Sequence, residues 1–215
     1  VAFRGWPAEA VEFFEGLETD NSKAYWQANK SVYDLAVRAP MEELLRELAT
    51  EFGEGKVFRP NRDIRFSTDK SPYKTQIAAT MSRGGYVSFS ADGLGVGSGI
   101  YQPMPDQLDR LRRAIADDGT GKQLVKLIEA AEAKGIEVSA HDELKTAPKG
   151  YPKDHPRIDL LRLKGLVTWK HWPVAAWLGT TKAKTRIVDV LHAARPVNAW
   201  LDKHVGPTTM SLERR

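Results

Sequence analysis

The chain has 215 residues, 41% of them hydrophobic, with 32 Lys or Arg against 28 Asp or Glu and a formal net charge of +4. That length buries a sizeable core without covalent staples, and the lack of cysteine excludes disulfides, thiolate metal centres, iron–sulfur clusters and a cysteine nucleophile. No apolar run approaches the roughly 20 residues of a membrane helix and no signal-peptide pattern opens the sequence, so a cytoplasmic location is expected.

The elements follow from periodicity and punctuation. A helix is predicted over 7–18, with Pro7 near its first position, where the missing N–H costs nothing. Val11, Phe14 and Leu17 form its inward stripe, and Glu9, Glu12, Glu15 and Glu18 face water. A second helix starts after Asn21 or Ser22, either a competent N-cap, and runs to about Arg38; Pro40 then opens a third, through Leu44, Leu45 and Leu48 to Gly53. Residues 74–82 alternate polar and apolar and predict a strand, followed by strands at 86–91 and 94–101 joined by an Asp92-Gly93 turn. That turn sets Phe89 opposite Val96 and Ser88 opposite Gly97, and puts Val87, Phe89, Ala91, Leu94, Val96 and Ile100 on the core face. Helices are expected at 105–116 and 122–134, separated by an Asp-Gly-Thr-Gly break, with a short strand at 136–138. Pro148, Pro152 and Pro156 make 145–156 an extended basic loop. A helix at 157–164, a strand at 166–169, a helix at 182–193 and a last helical turn or two at 196–204 complete the chain, and 206–215 reads as a frayed tail. The result is one α+β domain over residues 1–205, an antiparallel sheet packed against several helices.

The small net charge hides a segregation. Residues 1–56 carry 6 basic and 11 acidic side chains, 57–74 carry 5 and 2, 75–144 carry 7 and 10, and 145–215 carry 14 and 5. The acidic N-terminal charges read as solvated helix faces. The block from Phe58 to Lys74 is different: Arg59, Arg62, Arg65, Lys70 and Lys74 stand among aromatics with only Asp63 and Asp69 to balance them. Arginine forks and lysine ammonium groups suit phosphate or carboxylate, and Asp63 would orient one guanidinium. The alternative is a structural network in which Asp63 and Asp69 pin an irregular loop to the sheet; local pairing still leaves a cationic surplus of three.

Other candidates are weaker. The glycines of Gly93-Leu-Gly-Val-Gly-Ser-Gly99 recur every second residue along a strand, unlike a dinucleotide fingerprint, which opens a helix. Either a helix packs flat on this face or a ligand lies on it, walled by Tyr86 and Tyr101. Trp26, Asn29, Tyr33 and Val37 share one helical face; the aromatics read as core, and Asn29 bonds a loop backbone or lines the pocket. His155 is oriented by Asp154 or caps a turn, while His141, His171, His192 and His204 lack metal-ligand spacing, so no metal or cofactor is expected. Walker A, H-E-x-x-H, G-x-S-x-G and EF-hand patterns are absent, Asp117-Asp118 reads as solvated, and no Ser/His/Asp triad assembles.

The opening Phe3-Arg-Gly-Trp-Pro7, the segment Asn21…Trp26…Asn29-Lys30…Tyr33 and the block Val57–Lys74 resemble signatures of a widespread bacterial and fungal family of conserved hypothetical proteins, domain of unknown function twenty-four sixty-one. Gly97-Ser-Gly-Ile-Tyr-Gln-Pro103, Asp154-His-Pro156 with Leu160–Lys164, and Ala194-Arg-Pro-Val-Asn198 are similar to its later blocks. The resemblance spans roughly residues 3–205 and implies one compact domain, with no catalytic residue to carry over. Asn61 stands where an aromatic is common, and Lys164-Gly165-Leu166 replaces a more polar or aromatic run.

Three functions follow as expectations. The first is binding of a phosphate-bearing or other anionic small molecule, with Arg59, Arg62, Asp63, Arg65, Lys70 and Lys74 on the cationic side, the glycine face and Tyr101 as floor, and Trp26, Asn29 and Lys164 as further lining. The second is nucleic-acid binding through Lys145, Lys149, Lys153, Arg157 and Lys164 near Tyr151 and Trp169. The third is a non-catalytic scaffold with paired arginines, a filled glycine face and no pocket. No reaction is assigned.

Overall fold

The computed structural model describes residues 2–65 and 67–210. Helix α1 (Ala8–Thr19) follows Pro7 and buries Ala10, Phe13, Phe14 and Leu17, with Val11 only half-buried. The two adjacent phenylalanines both turn inward, which rotates the stripe away from Val11. Helix α2 (Lys23–Val32) is capped by Ser22, whose hydroxyl accepts the Tyr25 N–H at 3.1 Å.

The expected break before Pro40 does not occur. Helix α2 passes through a π-helical segment, Tyr33–Arg38, directly into α3 (Ala39–Phe52). Proline lacks an N–H and its ring crowds the carbonyl four residues back. Widening the turn to i→i+5 bonding, as in Ala39 N–H to Asp34 O, accommodates it inside a continuous helix. The Trp6 indole donates to Val37 O in this segment at 3.3 Å.

Six strands form one open antiparallel sheet: β1 (Gly55–Val57), β2 (Gln76–Met81), β3 (Tyr86–Ser90), β4 (Gly93–Ile100), β5 (Glu137–Ser139) and β6 (Leu166–Trp172), in the order β1-β2-β3-β4-β6-β5. Ile77 faces Phe89 and Ala79 faces Val87 across β2 and β3. The hairpin turn is Ala91-Asp92 rather than Asp92-Gly93, and Gly93 already opens β4. The pairing expected across this hairpin therefore slips by two residues. An even slip preserves the faces, and Val87, Phe89, Leu94 and Val96 are all completely buried.

The chain gathers into two units. The first comprises Val1–Val96 and His171–Asp189. Its core is built on Trp6, Phe14, Leu17, Met41, Leu44 and Phe89. Glu47 ties its segments together, accepting the Phe3 N–H at 2.7 Å and the Lys184 ammonium at 2.6 Å.

The second unit comprises Gly97–Lys170 and Val190–Arg215. Helices α4 (Pro105–Ala116), α5 (Asp118–Glu132), α6 (Ile158–Arg162) and the later part of α7 (Lys182–His204) supply Leu111, Ile115, Leu124, Leu161, Trp200 and Leu201 to its core. The predicted Asp-Gly-Thr-Gly break is instead the first turn of α5, because Asp117 accepts the Thr120 N–H and caps it. Asp118, expected to be solvated, is 72% exposed and pairs with Arg157 at 2.9 Å. A side chain at Gly121 would collide with Ile115 O and the Arg157 guanidinium, so glycine there admits the arginine. Helix α7 also runs unbroken through Pro196, where two helices were expected. Beyond it, Thr208 and Thr209 bond Asp106, and Arg110 donates to Val205 O and Pro207 O, tethering the start of the segment read as a frayed tail. Residues 211–215 lie outside the described residues. No described helix is long and apolar enough to cross a membrane.

Candidate functional site

The basic block forms a loop closed by a short neck. Arg62 N–H donates to Pro72 O at 2.9 Å and Lys74 N–H to Pro60 O at 2.8 Å, with Asn61 paired antiparallel to Tyr73. The N-terminal approach to α2 fixes the neck from outside. The Asn21 amide imitates a neighbouring strand, donating to Tyr73 O and accepting the Tyr73 N–H, both at 3.0 Å. Trp26 stacks on the Tyr73 ring at 4.2 Å, 8° from parallel. Trp26 thus anchors the loop. Asn29, by contrast, donates to Tyr25 O within its own helix at 3.0 Å.

Inside the loop both carboxylates are engaged. Asp63 accepts Arg65 Nε at 3.0 Å, a second guanidinium nitrogen at 2.6 Å and the Arg65 backbone N–H at 3.2 Å. These bonds, the side-chain pair foremost, hold its carboxyl at about 2. Asp69 pairs with Arg62 and accepts the Ser71 N–H at 2.8 Å, and it lies well below the ordinary carboxylate range. Lys70 reaches only a carbonyl, Ile64 O, at 3.0 Å, and the Lys74 ammonium lies 5.6 Å from the centre of the Phe58 ring. Among the described residues no carboxylate forms an ion pair with Arg59, Lys70 or Lys74. Phe66 of the same block lies outside the described residues.

Because folding depresses both carboxyls, their contribution to loop order is complete above their unfolded values near 4 and is lost as pH falls through the folded ones. Exchange protection of the Ser71 amide is therefore expected to hold at neutral pH and to weaken below about pH 4, before the sheet amides respond. Equal loss at loop and sheet would contradict this.

A cleft of about 520 Å³ in the first unit is lined by Glu18, Asn21, Arg62, Asp69, Ser71, Tyr73, Lys74, Thr75 and Gln76. Of the predicted residues, Arg62 and Lys74 line it; Arg59, Asp63, Arg65 and Lys70 belong to the same loop but not to this lining. Glu18, expected from its helical spacing to face water, is exposed at the edge of this cleft. Partial desolvation, with repulsion from Asp92 and Glu15, raises its carboxyl. Asn21 was read as a possible cap, and the choice of Ser22 as the actual cap leaves its amide free to hold Tyr73.

The glycine face is neither a ligand floor nor a helix seat at Gly97 and Gly99. A Cβ on Gly97 would stand 2.8 Å from both Thr168 O and the Trp169 ring, and one on Gly99 would strike Leu166 O. Strand β6 and its tryptophan fill the space that the missing side chains leave. In the second unit Tyr101 is 59% exposed with its ring 4.7 Å from that of His141, and Lys164 pairs with Asp142. Arg157 is buried as a helix cap rather than displayed. Of the basic residues named for a nucleic-acid surface, Lys145, Lys149 and Lys153 stay exposed without ion pairs among the described residues.

These features define an α+β domain with an open antiparallel sheet and a polar cleft beside a cation-rich loop. A family model described as conserved hypothetical protein (DUF2461) matches residues 9–200, and the chain belongs to that family. Among solved structures, a conserved hypothetical protein from Pyrococcus furiosus aligns with 15% identity and a TM-score of 0.37, over 79% of this chain and 98% of that one, a likeness too slight to carry an argument. No curated protein matches the sequence.

Proposed function

We propose that the domain binds a phosphate-bearing small molecule in the cleft, with the Lys74 ammonium and the Arg62 guanidinium as its anchoring cations. The observation that supports this reading is the uncompensated charge of the loop. Asp63 and Asp69 are spent on Arg65 and Arg62, while Arg59, Lys70 and Lys74 have no ion-pair partner among the described residues. Like charges held on one short loop repel, and an anion relieves that repulsion. Ser71, Thr75 and Gln76 add neutral hydrogen-bonding groups to the cleft wall, and Arg59 and Lys70 extend the positive field that draws an anion in.

A ligand present at about 100 times its Kd stabilises the fold by about 2.7 kcal/mol. For a chain of this size that raises the melting temperature by about 5–10 °C. Inorganic phosphate and nucleoside monophosphates are expected to produce such a rise at low salt, and Lys74→Met to abolish it. No shift with any phosphate would overturn the reading.

A further inference from the structure

We propose that the ligand is a zwitterion, a phosphate monoester that also carries a protonated amine, with the phosphate at Lys74 and Arg62 and the ammonium at Glu18. The inference rests on the anion reading above and deepens it. The cleft lining holds two cations and two carboxylates, and only one pair is matched: Arg62 with Asp69. Asp69 is further occupied by the Ser71 N–H. That leaves one ammonium, Lys74, and one carboxylate, Glu18, on the walls of the same cleft, with no ion pair to either among the described residues.

Partial desolvation, with repulsion from Asp92 and Glu15, raises the Glu18 carboxyl. The cleft lining therefore carries one carboxylate and one ammonium outside any ion pair among the described residues. A simple phosphate gains at Lys74 but meets repulsion from Glu18, whereas an aminated phosphate monoester pairs with both groups and relieves the repulsion of Glu18 by Asp92 and Glu15. The volume of about 520 Å³ is far larger than a bare phosphate requires and falls within the roughly 300–1,000 Å³ of ordinary small-molecule sites.

Calorimetric titration at low salt separates the possibilities, using inorganic phosphate, ethyl phosphate and O-phosphoethanolamine as probes. The last two differ by one ammonium group. O-phosphoethanolamine is expected to bind about threefold to fivefold more tightly than ethyl phosphate, the magnitude of one solvent-accessible ion pair, and added salt should shrink the ratio. Glu18→Gln should weaken O-phosphoethanolamine and tighten ethyl phosphate, while Glu18→Asp, which keeps the charge, should retain part of the preference. Circular dichroism of each variant checks that α1 is intact. Equal binding of the two esters, or a preference that survives Glu18→Gln, overturns the zwitterion and leaves the anion site standing. Failure of all three probes overturns both.

Discussion

Replacing Phe89 by alanine is expected to lower the melting temperature by about 6–20 °C. Its side chain is completely buried, stacked on Trp6 with ring centres 4.8 Å apart and planes 12° from parallel, and tilted against Phe14 at 6.4 Å. Ile77 stands opposite it in the sheet. Removing the ring deletes apolar burial and leaves a cavity that this packing closes only in part, a loss of about 3–5 kcal/mol. At about 2–4 °C per kcal/mol for a chain of this length, the stated drop follows. Phe89→Leu, which keeps most of the volume, should lose less than half as much. A thermal melt in which Phe89→Ala shifts by less than about 3 °C would show that the three rings do not act as one packed unit.

The second large effect belongs to Arg157, and its cause is polar rather than apolar. The side chain is 7% exposed and delivers Nε to Ile115 O at 2.6 Å, and a terminal nitrogen to Ala116 O and to Asp118 Oδ1, both at 2.9 Å. It closes the C-terminus of α4 with a cation where the helix dipole favours one. Arg157→Ala leaves those carbonyls without their donor and is expected to cost about 2–4 kcal/mol, read as a lower urea midpoint. Arg157→Lys should recover less than half, because one ammonium cannot span a fork of acceptors. Asp118→Asn should cost far less, since that carboxylate is 72% exposed and water replaces the pair. A loss below about 0.5 kcal/mol for Arg157→Ala would reassign the helix end to solvent.

What the residues disclosed and what they withheld divide along the range of the interactions. The faces of β3 and β4 follow from alternation alone, so they survive a one-residue error in the position of the turn. The limits of α4 at Pro105 and Ala116 match a local rule for proline at helix starts. Pro40 and Pro196 misled for the opposite reason: their local penalty is visible, but its relief is not. At Pro40 the relief is a widened turn, and around Pro196 the neighbours Val197, Trp200 and Leu201 are buried and hold α7 together. The alternate glycines announced a close approach without saying what approaches, because strand β6 follows β4 by more than sixty residues.

The candidate site shows the same division. The charge excess of residues 57–74 and the pairing of Asp63 with a guanidinium were legible, being encoded within one segment, but the carboxylates expected to pin the loop to the sheet bond Arg65, Arg62 and Ser71 inside the loop. Glu18 and Asn21 were not, since only folding brings the end of α1 and the start of α2 to Tyr73 and Lys74. A water-facing helix glutamate looks the same in sequence whether or not it also borders a cleft.

The two-rung neck that joins residues 60–62 to 72–74 separates two selective pressures. Closure entropy grows slowly with the length of a loop, so the interior from 63 to 71 can lengthen, shorten or change its charges at small cost to the sheet below. The anchors that matter to folding, Asn21, Trp26 and Tyr73, sit outside that interior. Substitutions at those nine positions are therefore expected to change the charge of the loop while leaving the melting temperature of the sheet nearly unchanged.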